Sequence, residues 1–220
     1  MELPLAFTDR TKNLLKDEYP AFEKALREES PVSIRLNPLK TNSGLFGQEQ
    51  VPWCKNGYYL QDRPAFTFDP RFHAGAYYVQ EASSMFLDHV IRQHIIRPVR
   101  YLDLCAAHGG KTTLALSALP EGSLVVCNEI VRNRAHVLAE NIIKWGNPYC
   151  IVTNNDSATF NSLKHYFDVI LTDVPCSGEG MFRKDPVAVQ EWSASNVGLC
   201  SERQKEILHN IWDALRPGGI

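Results

Sequence analysis

From Arg100 onward, apolar positions recur alternately at strand spacing and at helix spacing. Apolar runs bounded by turn residues predict four strands, and apolar residues at every third or fourth position predict the helices between them. The predicted strands lie at 101–106, 123–130, 149–156 and 167–174, and the predicted helices at 111–119, 131–145 and 201–215. Ser201 and Gln204 resemble a capping box at the start of the last helix. Strands that alternate with helices predict an α/β fold with a parallel sheet.

The first hundred residues have a different pattern. Helical spacing predicts helices over 9–29 and 83–94, and Pro20 would kink or split the first of them. The stretch 32–36 alternates apolar and polar residues, as a half-buried strand does, and the Asn-Gly pair within 51–60 predicts a hairpin. We therefore expect a small N-terminal α+β region before the α/β domain.

Composition and charge narrow the class of protein. The 220 residues are 44% hydrophobic and 22% charged, which suits one globular domain with a small appendage. Six cysteines without a Cys-x-x-Cys pair favour a reducing cytoplasm and indicate neither a metal site nor a disulfide scaffold. A net charge of −2 gives no sign of a basic nucleic-acid face in the totals. We find no signal peptide and no apolar run approaching a membrane span, so no membrane association is expected.

Small and polar residues gather where the predicted strands end, which is where sheets of this class bind ligands. The first strand runs into "DLCAAHGGKT". Gly109 and Gly110 permit a tight turn and close approach of backbone to a ligand, and the following helix N-terminus favours anionic groups. The spacing fits neither a dinucleotide-binding loop nor a Walker loop. An ordinary turn between strand and helix is the alternative interpretation.

Acidic residues end the other three predicted strands. Glu129 suits hydrogen bonding to ribose hydroxyls, or a favourable charge at the next helix N-terminus. Asp156 suits an adenine amino group, or a turn. Asp173 lies two residues before Pro175-Cys176, and Cys176 is either held at a pocket mouth or a small buried hydrophobe. Taken in order, these strand ends describe a site for S-adenosylmethionine whose transferred methyl group faces Asp173 and Cys176.

These motifs resemble those of the Fmu/Sun family of RNA cytosine carbon-5 methyltransferases, most closely the bacterial members that act on small-subunit ribosomal RNA. The resemblance rests on "PVSIRLNPLK", "GAYYVQEASSM", "DLCAAHGGKT" and, most specifically, "DVPCSGEGMFRKDP". It implies a Rossmann-like class I S-adenosylmethionine-dependent methyltransferase fold, of which this sequence holds the first four strands. It also implies an N-terminal RNA-associated region over 1–98 and a partial catalytic domain over 99–220.

The resemblance also implies which residues bind the methyl donor. They are Cys105, Ala106, Ala107, His108, Gly109, Gly110, Lys111, Glu129, Asp156 and Asp173. His108 stands where the family usually has proline, which puts that contact in doubt. A structural or solvent-facing role is expected for this histidine.

The implied macromolecular partner is RNA, with small-subunit ribosomal RNA as the expected substrate. Candidates for phosphate contact are the basic residues Arg35, Lys40, Arg183 and Lys184, with a solvated surface charge as the alternative for each. Tyr77 and Tyr78 are candidates for stacking on a base, although core packing is favoured for both.

The expected chemistry begins with a thiolate. Its addition to carbon 6 of cytosine lets carbon 5 attack the methyl group, while Asp173 hydrogen-bonds the ring. The family resemblance implies that the attacking cysteine follows a fifth strand and that Cys176 assists resolution of the adduct. One alternative makes Cys176 the nucleophile, and another is a donor-binding or RNA-binding module without turnover.

The sequence ends at Ile220, where the fifth strand would begin. We therefore expect a fragment of a longer protein that lacks the attacking cysteine and is inactive by itself. The fourth strand would then be a sheet edge with unpaired backbone groups, through which the fragment would self-associate.

Overall fold

The computed structural model describes residues 3–41 and 49–220. It divides into two compact units, Met1–Ser30 with Val174–Glu206 and Pro31–Asp173 with Ile207–Ile220. The boundary predicted near residue 98 lies inside the second unit and does not separate the two. As a division between an RNA-associated region and a catalytic domain, that boundary stays a prediction.

The strands of the described residues form two sheets, both in the second unit. In chain order they are β1 (Val32–Leu36), β2 (Gly57–Leu60), β3 (Tyr77–Val79), β4 (Arg100–Asp103), β5 (Leu124–Asn128), β6 (Cys150–Thr153) and β7 (Val169–Leu171). The first three pair antiparallel in the order β2-β1-β3. The other four pair in parallel in the order β6-β5-β4-β7, so strand order reverses between β4 and β7. This parallel sheet confirms the predicted α/β class.

The helices largely follow the predicted pattern. They are α1 (Leu5–Leu15), α2 (Tyr19–Arg27), α3 (Pro70–His73), α4 (Phe86–His94), α5 (Gly110–Ala118), α6 (Arg132–Trp145), α7 (Pro186–Glu191) and α8 (Ala194–Ile211). Pro20 splits the first predicted helix, because it lies in the first turn of α2 after a short 3₁₀ turn at Lys16–Glu18.

The capping box expected at Ser201 is wrong. Helix α8 begins at Ala194, so Ser201 lies inside it. The Gln204 side chain instead donates to the Pro175 carbonyl at 2.9 Å. Ser193 provides the cap, since its Oγ accepts from the Asn196 N–H at 3.2 Å.

Apolar side chains cover both faces of the parallel sheet within the second unit. Along β4, Tyr101 contacts the cluster formed with α4 and α5, and Leu102 contacts a second cluster that includes Phe160 and Phe167. Strand β1 departs from the half-buried pattern expected of it, because Ser33 is as buried as its apolar neighbours. The antiparallel sheet is therefore covered on both faces at β1.

Strand β7 has backbone partners on both sides. Beyond β4 on one side, Ile170 N donates to Ile220 O at 2.9 Å and Ile220 N donates to Asp168 O at 3.1 Å. Arg216 N also donates to Phe167 O at 3.0 Å. Strand β7 is the last strand of this sheet, as expected, but the expectation that its outer backbone groups are all unpaired is wrong. Self-association through this edge stays a prediction.

Candidate active site

A glycine turn over residues 104–110 joins β4 to α5 at the carboxyl edge of the parallel sheet. Gly109 has a φ of +98°, and a Cβ built on it would lie 3.2 Å from Leu138 Cδ1. Both the left-handed conformation and the close packing require glycine here. Two backbone bonds anchor the turn, from Ala106 N to Asn128 O at 2.8 Å and from Leu104 N to Leu171 O at 3.0 Å. The first turn of α5 therefore begins beside the point where strand order reverses, as expected for a ligand site.

Lys111 and Asp173 form an ion pair across this edge of the sheet. Lys111 lies in the first turn of α5, and Asp173 lies two residues beyond β7. Their side chains are 31% and 52% exposed, so both reach solvent. Two residues predicted to bind the methyl donor are thus brought together, and the Asp173 carboxylate retains room for a further hydrogen bond.

Glu129 follows β5 and is only 2% exposed. Its Oε1 accepts from Val131 N at 2.9 Å, and its Oε2 lies 3.2 Å from the Arg134 guanidinium. Glu129 therefore stabilises the start of α6, as one interpretation of the sequence expected. Each carboxylate oxygen keeps a second lone pair, so the ribose interpretation is equally compatible with this geometry.

Asp156 lies beyond β6 and caps a short 3₁₀ turn, Ser157–Ser162. Its Oδ1 accepts from Ala158 N at 2.8 Å, which is the turn role that the sequence left open. An adenine contact for Asp156 stays a prediction.

Asn128 is a structural member of this edge that the sequence reasoning missed. Its buried amide nitrogen donates to Leu104 O at 3.2 Å and to Asn155 O at 3.0 Å. Its oxygen accepts from Thr153 Oγ1 and from Asn155 N, both at 2.9 Å. One side chain therefore ties together the ends of β4, β5 and β6. An amide at the end of an otherwise apolar strand was the available signal.

Asp103 is the last residue of β4 and was not predicted to have a role. It is 0% exposed, and its Oδ2 accepts from Thr112 Oγ1 at 2.7 Å. Its Oδ1 has no hydrogen-bond partner among the described residues. The pKa of Asp103 is raised to about 7, mainly by burial and in part by the carboxylates of Asp173 and Glu129, against the opposing effects of Thr112 and Lys111. The edge thus gathers three carboxyl groups, a set that suits a cationic ligand.

Cys105 adjoins this cluster of carboxylates. Burial raises the pKa of its thiol to about 11, and the carboxylates of Asp103, Glu129 and Asp173 add to the effect. The thiol is therefore protonated at neutral pH, and Cys105 is not suited to be a nucleophile.

Asp103 predicts a pH dependence of stability. Between about pH 4 and pH 7 the unfolded chain has lost the Asp103 proton while the folded chain retains it, so this residue makes stability fall as pH rises. Asp103→Asn cannot ionise and can still accept from Thr112. We expect the stability of Asp103→Asn relative to the parent chain to rise by about 2 kcal/mol between pH 5 and pH 8, measured by urea unfolding.

The exposed variant Asp62→Asn is the matched control and is expected to change far less between the two pH values. An equal difference between Asp103→Asn and its parent at pH 5 and pH 8 would contradict a raised pKa at this position.

The Pro-Cys loop lies in the first unit. Cys176 is exposed and free, which excludes the interpretation of a small buried hydrophobe. Glu179, three residues later, accepts from Arg10 at 2.6 Å, from Trp192 Nε1 at 2.8 Å and from Ser177 Oγ at 3.0 Å. One carboxylate with three donors thus connects the loop that carries the thiol to α1.

The predicted phosphate contact at Arg35 is wrong. Arg35 is 1% exposed, and its guanidinium donates to Gln80 Oε1 at 2.8 Å and to Thr113 Oγ1 at 2.6 Å. The guanidinium also lies 4.6 Å from the centroid of the Trp145 ring. A side chain enclosed in this way cannot reach an RNA phosphate.

The other basic candidates differ in exposure and in their bonds. Lys40 Nζ donates to Ala74 O at 2.8 Å and to Lys144 O at 2.6 Å, and Arg183 donates to Glu28 O at 2.9 Å and to Glu29 O at 2.6 Å. These bonds give Lys40 and Arg183 structural roles within their own units. Lys184 is exposed, and its phosphate contact stays a prediction.

The two tyrosines also differ. Tyr77 is 1% exposed and donates to Asp69 Oδ2 at 2.9 Å, so core packing is confirmed for it and stacking on a base is excluded. Tyr78 is half-buried, and its hydroxyl donates to His108 O at 3.2 Å. The His108 side chain is exposed, as expected for a solvent-facing histidine.

Neither a metal-binding cluster nor a membrane-spanning helix occurs in the part of the chain that the structure describes. No group of three or more His, Cys, Asp or Glu side chains there is arranged to hold a metal ion. No helix there has the length and apolar character needed to cross a membrane.

Two sequence families match the chain. The model for the N-terminal domain of 16S rRNA methyltransferase RsmF matches residues 3–82, and the model for 16S rRNA methyltransferase RsmB/F matches residues 96–220. Among curated proteins named ribosomal RNA small subunit methyltransferase F, the one from Pectobacterium atrosepticum is 33% identical over 99% of this chain, and the one from Shewanella oneidensis is 36% identical over 85%. These alignments take in 48% and 42% of the relatives, so the chain spans about half the length of the curated relatives it matches.

Solved structures share the fold. A methyltransferase homolog protein from Pyrococcus horikoshii has a TM-score of 0.80 at 26% identity, over 97% of this chain and 70% of that one. NSun6 from Pyrococcus horikoshii with SFG has a TM-score of 0.82 at 18% identity, over 98% of this chain and 81% of that one. The predicted Rossmann-like methyltransferase fold is thereby confirmed.

Proposed function

Because the chain belongs to the RsmB/F family of 16S rRNA methyltransferases, as its motifs predicted, we propose that the protein transfers a methyl group from S-adenosylmethionine to carbon 5 of a cytosine in small-subunit ribosomal RNA. The observation that carries the proposal is the arrangement of the glycine turn, the Lys111–Asp173 pair and Glu129 at one edge of the parallel sheet. A cytoplasmic location follows from ribosomal RNA as the proposed substrate.

The residues at this edge fit the methyl donor by charge. S-adenosylmethionine supplies an activated methyl group and carries two positive charges, on its amino group and on its sulfur. The buried Oδ1 of Asp103 has no partner among the described residues, and the nearby carboxylates of Glu129 and Asp173 raise the pKa of Asp103. A cationic ligand relieves this repulsion, which an anionic ligand would increase.

Each part of the donor has a group suited to it. The N–H groups of the glycine turn and of the first turn of α5 would hold the donor's carboxylate. Glu129 would accept hydrogen bonds from the ribose hydroxyls, and Asp156 from the adenine amino group. Asp173 would lie nearest to the reacting centre, since it follows the strand at which the sheet order reverses.

Two side chains of this chain would act on the cytosine. Asp173 would hydrogen-bond the ring while a thiolate adds to carbon 6 and carbon 5 takes the methyl group. Loss of the carbon-5 proton to a base then lets the thiolate leave. Cys176 would assist this release, with a second cysteine of the whole protein as the attacker. The exposure of Cys176 also supports the alternative in which Cys176 itself attacks.

RNA is the proposed partner, and the exposure of Lys40 and Lys184 supports phosphate contacts by these two basic candidates. The N-terminal family match over residues 3–82 supports an RNA-associated role for the region 1–98. The target cytosine would have to be unstacked or presented in a single strand to reach the edge of the sheet.

Calorimetry and adduct mapping test the proposal. We expect the chain to bind S-adenosylmethionine and S-adenosylhomocysteine at one saturable site and to leave NAD unbound. In the whole protein we expect labelled methyl groups at carbon 5 of cytosine in 16S rRNA, and an adduct with a 5-fluorocytosine RNA on a cysteine other than Cys176. No binding of the donor by the folded chain would refute the donor site, and an adduct on Cys176 would make it the attacker.

A further inference from the structure

Side chains of the antiparallel sheet donate hydrogen bonds to carbonyl groups of the glycine turn. Tyr78 on β3 donates its hydroxyl to His108 O at 3.2 Å, and Arg35 on β1 donates to Gly110 O at 3.2 Å. The contact between sheet and turn is close, because a Cβ built on Gly110 would lie 3.3 Å from Tyr78 Cε1 and 3.6 Å from Gln80 Nε2. The turn therefore lies directly against side chains of β1 and β3.

The Arg35 side chain hydrogen-bonds both to the antiparallel sheet and to helix α5. Its remaining donors go to Gln80 Oε1 within the antiparallel sheet and to the backbone and hydroxyl oxygens of Thr113 in α5. Its guanidinium stacks over Trp145 at the end of α6. Burial lowers the pKa of Arg35 to about 10, which leaves the guanidinium charged at neutral pH. The planar, charged guanidinium therefore joins the sheet to the first turn of α5 and leaves little room for the two to move relative to each other.

Holding these carbonyl groups also orients N–H groups. A trans peptide bond places the carbonyl of one residue and the N–H of the next on opposite sides of one plane. The bond from Arg35 to Gly110 O therefore sets the direction of the Lys111 N–H, which belongs to the first turn of α5 and has no acceptor within the helix. Asn141 of α6 supplies a second donor to His108 O at 2.8 Å.

We propose that Tyr78 and Arg35 are positioning residues for the methyl donor. The antiparallel sheet holds the glycine turn in its binding conformation before the donor arrives. The inference rests on the proposed function, since it takes the glycine turn to be the donor site. Without these bonds the turn would occupy other conformations, and the apparent affinity for the donor would fall by the fraction of time spent in them.

Tyr78→Phe tests the inference with little risk to folding, because it removes one hydroxyl from a half-buried ring. We expect the dissociation constant for S-adenosylhomocysteine, measured by calorimetry, to rise about fivefold, as the loss of one hydrogen bond of ordinary strength implies. We also expect faster hydrogen exchange of the amides at 106–111 in the absence of donor. The melting temperature is expected to fall by no more than about 4 °C.

Tyr59→Phe is the matched control, because Tyr59 lies on β2 of the same sheet and its hydroxyl makes no hydrogen bond to the turn within the described residues. Both readouts are expected to stay at parent values for this variant. Unchanged affinity and exchange in Tyr78→Phe would overturn the positioning role while leaving the proposed function intact. A parent chain that binds no donor would instead overturn the proposed function, and the inference with it.

Discussion

Replacing Glu129 by alanine is expected to weaken binding of S-adenosylmethionine about 100-fold. A buried carboxylate that accepts from two ribose hydroxyls forms two charge-assisted hydrogen bonds, each worth about 1.5–3 kcal/mol when lost. The loss of both corresponds to at least a hundredfold change in the dissociation constant. Titration calorimetry with the purified chain measures this change directly.

Two variants separate this role from the support that Glu129 gives to α6. Glu129→Gln retains an acceptor for Val131 N but loses the charge, so we expect an intermediate loss of affinity, about tenfold. Glu140→Ala removes an exposed carboxylate from α6 and is expected to leave binding within twofold of the parent. Donor binding that survives in Glu129→Ala, with a lower melting temperature alone, would reduce Glu129 to a helix-stabilising residue.

The sequence was sufficient to predict the edge of the sheet at which Glu129 lies. Parallel strands end on one side, so acidic residues that follow successive strands must meet there, whatever the details of packing. Lys111 and Asp173 are 62 positions apart in the chain and form an ion pair for this reason. The split at Pro20 was equally predictable, since proline lacks the N–H that the interior of a helix requires.

The features that the sequence did not predict depend on contacts between residues that are far apart in the chain. Alternation along β1 predicted one solvated face, but that face lies against α5 and Trp145, so Arg35 is buried. A charged side chain is normally exposed, and it is buried only where other groups in the fold pair with it. The sequence does not show which groups those are. The bonds of Ile220 to β7 were likewise unforeseen, because they depend on the path of the last five residues.

Replacing Arg35 by methionine is expected to lower the free energy of unfolding by about 3 kcal/mol. Methionine fills much of the same volume but offers no donor, so Gln80 Oε1, Thr113 Oγ1 and Gly110 O each lose one hydrogen bond in a site closed to water. A buried acceptor left without its charged donor loses about 1–3 kcal/mol, and removal of the desolvated charge offsets part of the sum. Urea unfolding followed by circular dichroism gives the difference.

Arg97→Met, at an exposed position, is the control for the loss of one positive charge and is expected to change stability by no more than about 0.5 kcal/mol.

The same pair of variants decides between the two interpretations of Arg35. A phosphate contact predicts weaker RNA binding at unchanged stability, because an exposed arginine contributes little to folding. An enclosed guanidinium predicts instead that Arg35→Met lowers the free energy of unfolding. RNA binding would then weaken only under conditions in which part of the protein is unfolded. An unchanged urea midpoint together with reduced RNA affinity would restore Arg35 as a phosphate contact and require its side chain to leave the pocket between Thr113 and Trp145.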